Sequence, residues 1–151
     1  MRRELIAFAT LCLFATFVRG SDTLTYDAAS TGTRELSAGD LVIKVLVEEQ
    51  NLGSGEVEVG EISFPPGYTG SGHRHGSIEI FYVLEGTMEH VVNGKPHRLT
   101  RGMVGIVRPE DTVTHNVIGE TAVKAVVIWA PGGEVERLRG VFPAERILLD
   151  R

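Results

Sequence analysis

Short runs of alternating apolar and polar residues, separated by glycine- and proline-rich turns, fill most of this 151-residue chain. Residues 41–47 (LVIKVLV) are β-branched and apolar, and residues 57–64 (VEVGEISF) alternate with period two, the repeat of a strand with one buried face. Pro65, Pro66 and Gly67 stop that strand, because proline has no N–H to give to a ladder. Residues 78–84 predict the next strand, Glu85-Gly86 a turn or bulge, and residues 88–92 the strand after it. Asn93-Gly94 is a two-residue hairpin turn of the kind that needs positive φ. Further strands are expected at 97–99, 103–107, 113–118 and 122–130. Strands at intervals of about ten residues, with turn chemistry between them, predict an all-β sandwich or barrel. After Pro131-Gly132-Gly133, residues 134–139 (EVERLR) suit one or two helical turns, and 142–149 supply apolar residues for a tail packed on the body. The polar stretch 21–38 reads as an extended arm with one short strand. The expected organisation is an arm at 21–36, one barrel at 37–133 and a tail at 134–151.

The first twenty residues break this pattern. Arg2 and Arg3 precede fourteen residues, 5–18, that are apolar apart from threonines and Cys12, and Arg19, Gly20 and Ser21 end the run. That is a secretory signal with a cut after Gly20, which predicts a secreted or periplasmic protein. A spanning helix needs about twenty apolar residues, so the segment is short for an anchor, although an uncleaved anchor is the alternative. Cys12 follows Leu11 rather than a small residue, which argues against a lipid-modified cysteine. Cleavage removes the single cysteine and changes the formal charge from −5 to −7, since three arginines and one glutamate leave. The mature domain then has no disulfide, and its stability rests on packing and on any bound metal. An acidic domain without a basic cluster excludes nucleic acid and anionic membrane surfaces as partners.

Chemistry concentrates in residues 67–86, GYTGSGHRHGSIEIFYVLEG. On an extended segment His73 and His75 face the same way, and Glu79 shares their parity across a bend that Gly76-Ser77 can supply. Two histidines and a carboxylate that leave coordination positions open suit Fe(II), and equally Mn(II), Ni(II), Co(II) or Zn(II). His115, on a predicted strand after Pro109, is the candidate fourth donor.

This segment resembles the first motif of the cupin superfamily. Gly67, five residues, His73-x-His75, three residues, Glu79, six residues and Gly86 fill every fixed position at the family's spacing. A counterpart of the second motif runs from Gly102 through Pro109 to His115 and Asn116. There Pro109 and His115 arrive later than in the family, Asp111 (or Glu110) stands for the second glycine, and Gly119 for the asparagine. The resemblance covers about residues 37–133 and implies a single jelly-roll β-barrel that pairs as a homodimer. It also implies one divalent transition metal held by His73, His75, Glu79 and His115, with Glu79 as ligand and proton acceptor.

Phe81 and Val83 share the parity of Glu79 and are candidate pocket walls or core. His90 either lines the pocket or faces outward, and Arg74 points away from the ligands toward solvent or a subunit contact. His97 is expected at the surface, and Trp129 and Phe64 in the core. The leading expectation is a metal-dependent, dioxygenase-like oxidoreductase acting on a small phenolic or enolic compound that chelates the metal. A lyase, isomerase or decarboxylase working without O2 is the second expectation, and a non-catalytic small-molecule or sugar binder the third.

Overall fold

In the computed structural model, which describes residues 26–149, the alternation becomes ten strands and two short helices. The expected signal at 1–20 and its cut lie outside the described residues. In chain order the elements are β1 (Arg34–Ala38), β2 (Leu41–Val47), α1 (Glu49–Leu52), β3 (Glu58–Phe64), β4 (Ile78–Glu85) and β5 (Thr87–Val92). They continue with β6 (Lys95–Thr100), β7 (Val104–Val107), β8 (Val113–Val117), β9 (Val123–Ala130), α2 (Glu134–Arg139) and β10 (Ala144–Ile147). A seven-stranded sheet has the order β10-β1-β2-β3-β9-β4-β7 and faces a three-stranded sheet, β6-β5-β8. Every pairing is antiparallel, as expected of a jelly-roll barrel.

Period two decides what the core strands bury. Along β9, Val123, Ala125, Val127 and Trp129 point inward; along β4, Glu79, Phe81 and Val83 do so. The apolar ones among them meet Ile62 and Phe64 of β3 and Met88 of β5 in one core. Each such side chain contributes about 1.5–3 kcal/mol when fully buried. The opposite face of β4 exposes Ile78 and Tyr82, and the edge strand β7 exposes Val104 and Ile106 beside them.

Three local devices set the frame. Asn93 (φ 51°) and Gly94 (φ 78°) form the expected β5–β6 hairpin turn. The Asn93 amide donates to Asp111 Oδ1 at 2.7 Å, and the Arg108 N–H donates to Asp111 Oδ2 at 3.0 Å. Asp111 therefore closes its own turn and fastens it to the hairpin, a task that a glycine at this position has no side chain to do. Gly86 sits at φ 80°, where a Cβ would lie 2.4 Å from the Ala122 carbonyl oxygen, so only glycine fits between β4 and β5.

The segment after Phe64 turns back and runs along the free edge of β8. The Val117 N–H donates to the Tyr68 carbonyl (2.8 Å), the Gly70 N–H to the His115 carbonyl (3.0 Å), and His73 and Val113 exchange bonds of 2.9 and 2.8 Å. A Cβ on Gly70 would lie 2.9 Å from the His115 carbonyl oxygen, so this approach also depends on glycine. The sheet extends beyond the expected barrel limits of 37–133 on both sides. β1 begins at Arg34, and part of the expected tail is β10, hydrogen-bonded to β1. Arg34 ties these ends together, bonding Glu48 (2.8 Å) and Glu145 (2.6 Å).

Candidate metal centre

The ladder along β8 brings His73 and His75 in the loop, Glu79 on β4 and His115 on β8 to one end of a cavity of about 320 Å3. His75 Nε2 lies 3.1 Å from Glu79 Oε2, and His115 Nε2 lies 3.5 Å from Glu79 Oε1. The His73 ring is edge-on to His75 with centroids 4.9 Å apart, and 5.7 Å from that of His115. Glu79 is only 3% exposed, and its Oε2 accepts the Trp129 indole N–H at 3.1 Å. Trp129 thus serves the core, as expected, and also orients the carboxylate.

His75 Nε2, Glu79 Oε1 and His115 Nε2 are buried and make no hydrogen bond. Buried polar atoms without partners cost about 1–3 kcal/mol each, and here three of them converge. No group of three His, Cys, Asp or Glu side chains among the described residues stands as a ready cage. The two spacings to Glu79, 3.1 and 3.5 Å, are nevertheless close to those of neighbouring donors on one ion, which lie about 3–3.4 Å apart at 2.1 Å bonds. Protonation points the same way. Burial lowers the pKa of His115 well below its usual value, with His90 and His73 adding to the effect. Burial also lowers His73, against the carbonyl of Ser71. Both rings therefore keep neutral lone pairs, the form that binds metals. Burial raises the pKa of Glu79, opposed by His75 and Trp129, and a cation is what makes an ionised carboxylate favourable there.

Glu134, the first residue of α2, is a group that sequence reasoning missed. It is 2% exposed and accepts from the Gly76 N–H at 2.5 Å, from Arg137 Nε at 2.7 Å, and lies 3.2 Å from His75 Nδ1. Burial pushes its pKa up, but the bonds from His75, Arg137 and Gly76 outweigh it and hold the carboxyl at about 2. A Cβ on Gly132 would lie 3.0 Å from the Gly55 carbonyl oxygen, and Gly133 takes φ 117°, so the turn into α2 depends on both glycines. The Val135 N–H donates to Glu58 Oε2 at 2.9 Å and fixes the start of the helix. A glutamate directly after Pro-Gly-Gly was the one available signal, and it says nothing about which residue it reaches.

Of the three expected pocket residues, only Phe81 lines the cavity. Val83 points inward as its parity demands, but two positions further along β4 it is in the core, 0% exposed. His90 is also in the core, opposite His115 across β5–β8 and near Phe81, with ring centroids 5.1 and 6.5 Å away. Burial lowers its pKa to about 4, against the Ile106 carbonyl. His97 is exposed on β6, and the exposed Arg74 donates to Thr112 Oγ1 at 3.2 Å. The cavity walls come from Ile43, Ile62, Phe64 and Val127 inside the barrel, and the roof from Leu138 and Phe142 of α2 and the turn after it. Among the described lining residues Arg137 is the only lysine or arginine, and Glu134 already neutralises it.

The family described as "Cupin domain" matches residues 60–131. An RmlC-like cupin from Shewanella frigidimarina superposes with TM-score 0.60 at 23% identity, over 76% of this chain and 96% of that one. A predicted oxalate decarboxylase from Thermotoga maritima gives 0.58 at 20%, over 66% and 92%. KdgF from Halomonas sp. gives 0.55 at 15%, over 65% and 86%. No curated protein matches the chain. At these identities the superpositions speak for the fold, and the family match for the sequence between β3 and the end of β9. Residues 60–131 match the cupin domain family, and the described residues have the cupin β-barrel fold.

Proposed function

We propose that this chain is a metal-dependent cupin oxidoreductase, dioxygenase-like, acting on a small, largely apolar phenolic or enolic compound. One observation carries the reading: the three unpartnered donors of His75, Glu79 and His115 meet at the end of a largely apolar cavity. His73, His75, Glu79 and His115 are the proposed holders of one divalent ion, with Fe, Mn, Ni, Co and Zn all admitted by this donor set. When bound, such an ion supplies Lewis acidity or a site for O2 beside the substrate oxygen. Glu79, its pKa raised by burial, is placed to accept the hydroxyl proton of the substrate. Phe64, Phe81 and the Leu138–Phe142 roof exclude water and hold the apolar body. Insertion of both oxygen atoms of O2 into the product needs no external reductant.

Elemental analysis of natively purified protein, followed by oxygen uptake with a panel of catechols and enols, tests this. About one transition metal per chain and uptake abolished in His75→Ala are expected. Full activity in metal-free protein refutes the metal. Turnover that persists without O2 in the zinc form replaces the oxidoreductase with a lyase or decarboxylase.

A further inference from the structure

We infer that Glu134 is a positioning residue for His75, and that its carboxylate fixes the tautomer and heading this imidazole needs to present Nε2 to a cation. The inference rests on the metal reading above and adds α2 to the site.

The His75 ring has two polar edges with different surroundings. Nδ1 lies 3.2 Å from Glu134 Oε2 in hydrogen-bonding geometry. Nε2 lies 3.1 Å from Glu79 Oε2 but out of line for a hydrogen bond. A proton on Nδ1 is therefore satisfied and a proton on Nε2 is not. Free histidine prefers the opposite tautomer, so the carboxylate sets the choice. Arg137 Nη2 competes, standing 3.1 Å from the same Nδ1. It stands 2.5 Å from Glu134 Oε2, however, and a guanidinium bonds an ionised oxygen more strongly than an imidazole lone pair. Glu134 Oε2 sits between the two donors and accepts from both.

The carboxylate cannot easily drift. Its second oxygen is held by the Gly76 N–H, one residue after His75, and the Val135 N–H beside it is held by Glu58 on β3. His75 thus stands between two buried carboxylates, Glu79 on one side and Glu134 on the other. Carboxylate–histidine pairs of this kind raise ligand basicity, and their loss lowers metal affinity about 10- to 100-fold. The same helix turn carries Leu138 and leads to Phe142, so one six-residue helix both roofs the cavity and holds the ring.

Two readouts on the full chain test this. In chelator-stripped protein, 15N shifts of His75 are expected to show a protonated Nδ1, and Glu134→Ala to move the proton to Nε2. Zn(II) affinity, by competition with a chromogenic chelator, is expected to fall about 10- to 100-fold in Glu134→Ala. That loss should vanish in a His75→Ala background. If Glu134→Ala does not fold, Glu134→Gln, which keeps one acceptor oxygen, takes its place. A protonated Nε2 in the wild type, or the same fold-loss with His75 absent, overturns the inference. A wild type that binds no divalent metal refutes the proposed function, while the tautomer, read without metal, still judges Glu134.

Discussion

Glu79→Gln offers a test of the candidate centre that needs no substrate. In the stripped protein Glu79 Oε1 lies 3.5 Å from His115 Nε2, and neither atom makes a hydrogen bond. A glutamine whose oxygen keeps the Trp129 N–H places its amide NH2 against His115 Nε2, a donor for the ring when its own proton sits on Nδ1. Satisfying one such buried atom contributes about 1–2 kcal/mol. At about 2–4 °C per kcal/mol for a domain of this size, Tm is expected to rise by about 2–8 °C at pH values above the folded pKa of Glu79. The pH dependence has a definite sign. Burial raises the folded pKa of Glu79 above its ordinary 4.5, so the native state binds this proton more tightly than the unfolded chain. Stability from this group is then full below about pH 4.5 and falls as pH rises through the folded pKa. Wild type and variant should therefore converge in acid, where a protonated Glu79 donates as the amide does, and separate toward neutrality. Metal should raise Tm in the wild type and much less in the variant. Thermal melts with and without Zn(II), from pH 4 to 8, measure all of this. A variant less stable than the wild type at pH 7, or equally stabilised by metal, would falsify the account of Glu79.

Gly86→Ala is expected to lower Tm by about 10 °C or abolish soluble expression, since positive φ and a 2.4 Å approach to the Ala122 carbonyl act together. Asp111→Ala should lower Tm at pH 7. Hydrogen bonds from the Arg108 N–H and the Asn93 side chain hold this carboxyl at about 2, so its contribution is complete above pH 3.8 and lost as pH falls through 2. Melts at pH 2 and 7 should show the gap closing in acid. The homodimer expected from the family resemblance is proposed to bury the exposed apolar face of β4 and β7. Light scattering should give twice the monomer mass, and Ile106→Lys should return the monomer.

Much of this was legible in the sequence, because strand parity is a local property. The alternation around Glu79 and Phe81 put both inside, and Asn93-Gly94 marked its own turn. Parity does not give depth, however. Val83 faces inward like Glu79, but four residues along a strand is about 13 Å, enough to leave the cavity for the core. The juxtaposition of His73 with His115 depends on a loop pairing with a strand some forty residues away, to which no local pattern points. Glu134 was hidden for the same reason, with the added difficulty that a six-residue helix has too few turns to show a face.

The pairing of β1 with β10 has a practical side. Arg34 lies opposite Ile147, so the described chain enters and leaves the larger sheet at the same corner. A linker, surface or fusion attached at either end would hold the barrel by one handle. Joining the two ends and reopening the chain at the exposed Asn93-Gly94 turn should give a permuted protein that keeps the same strand order in space.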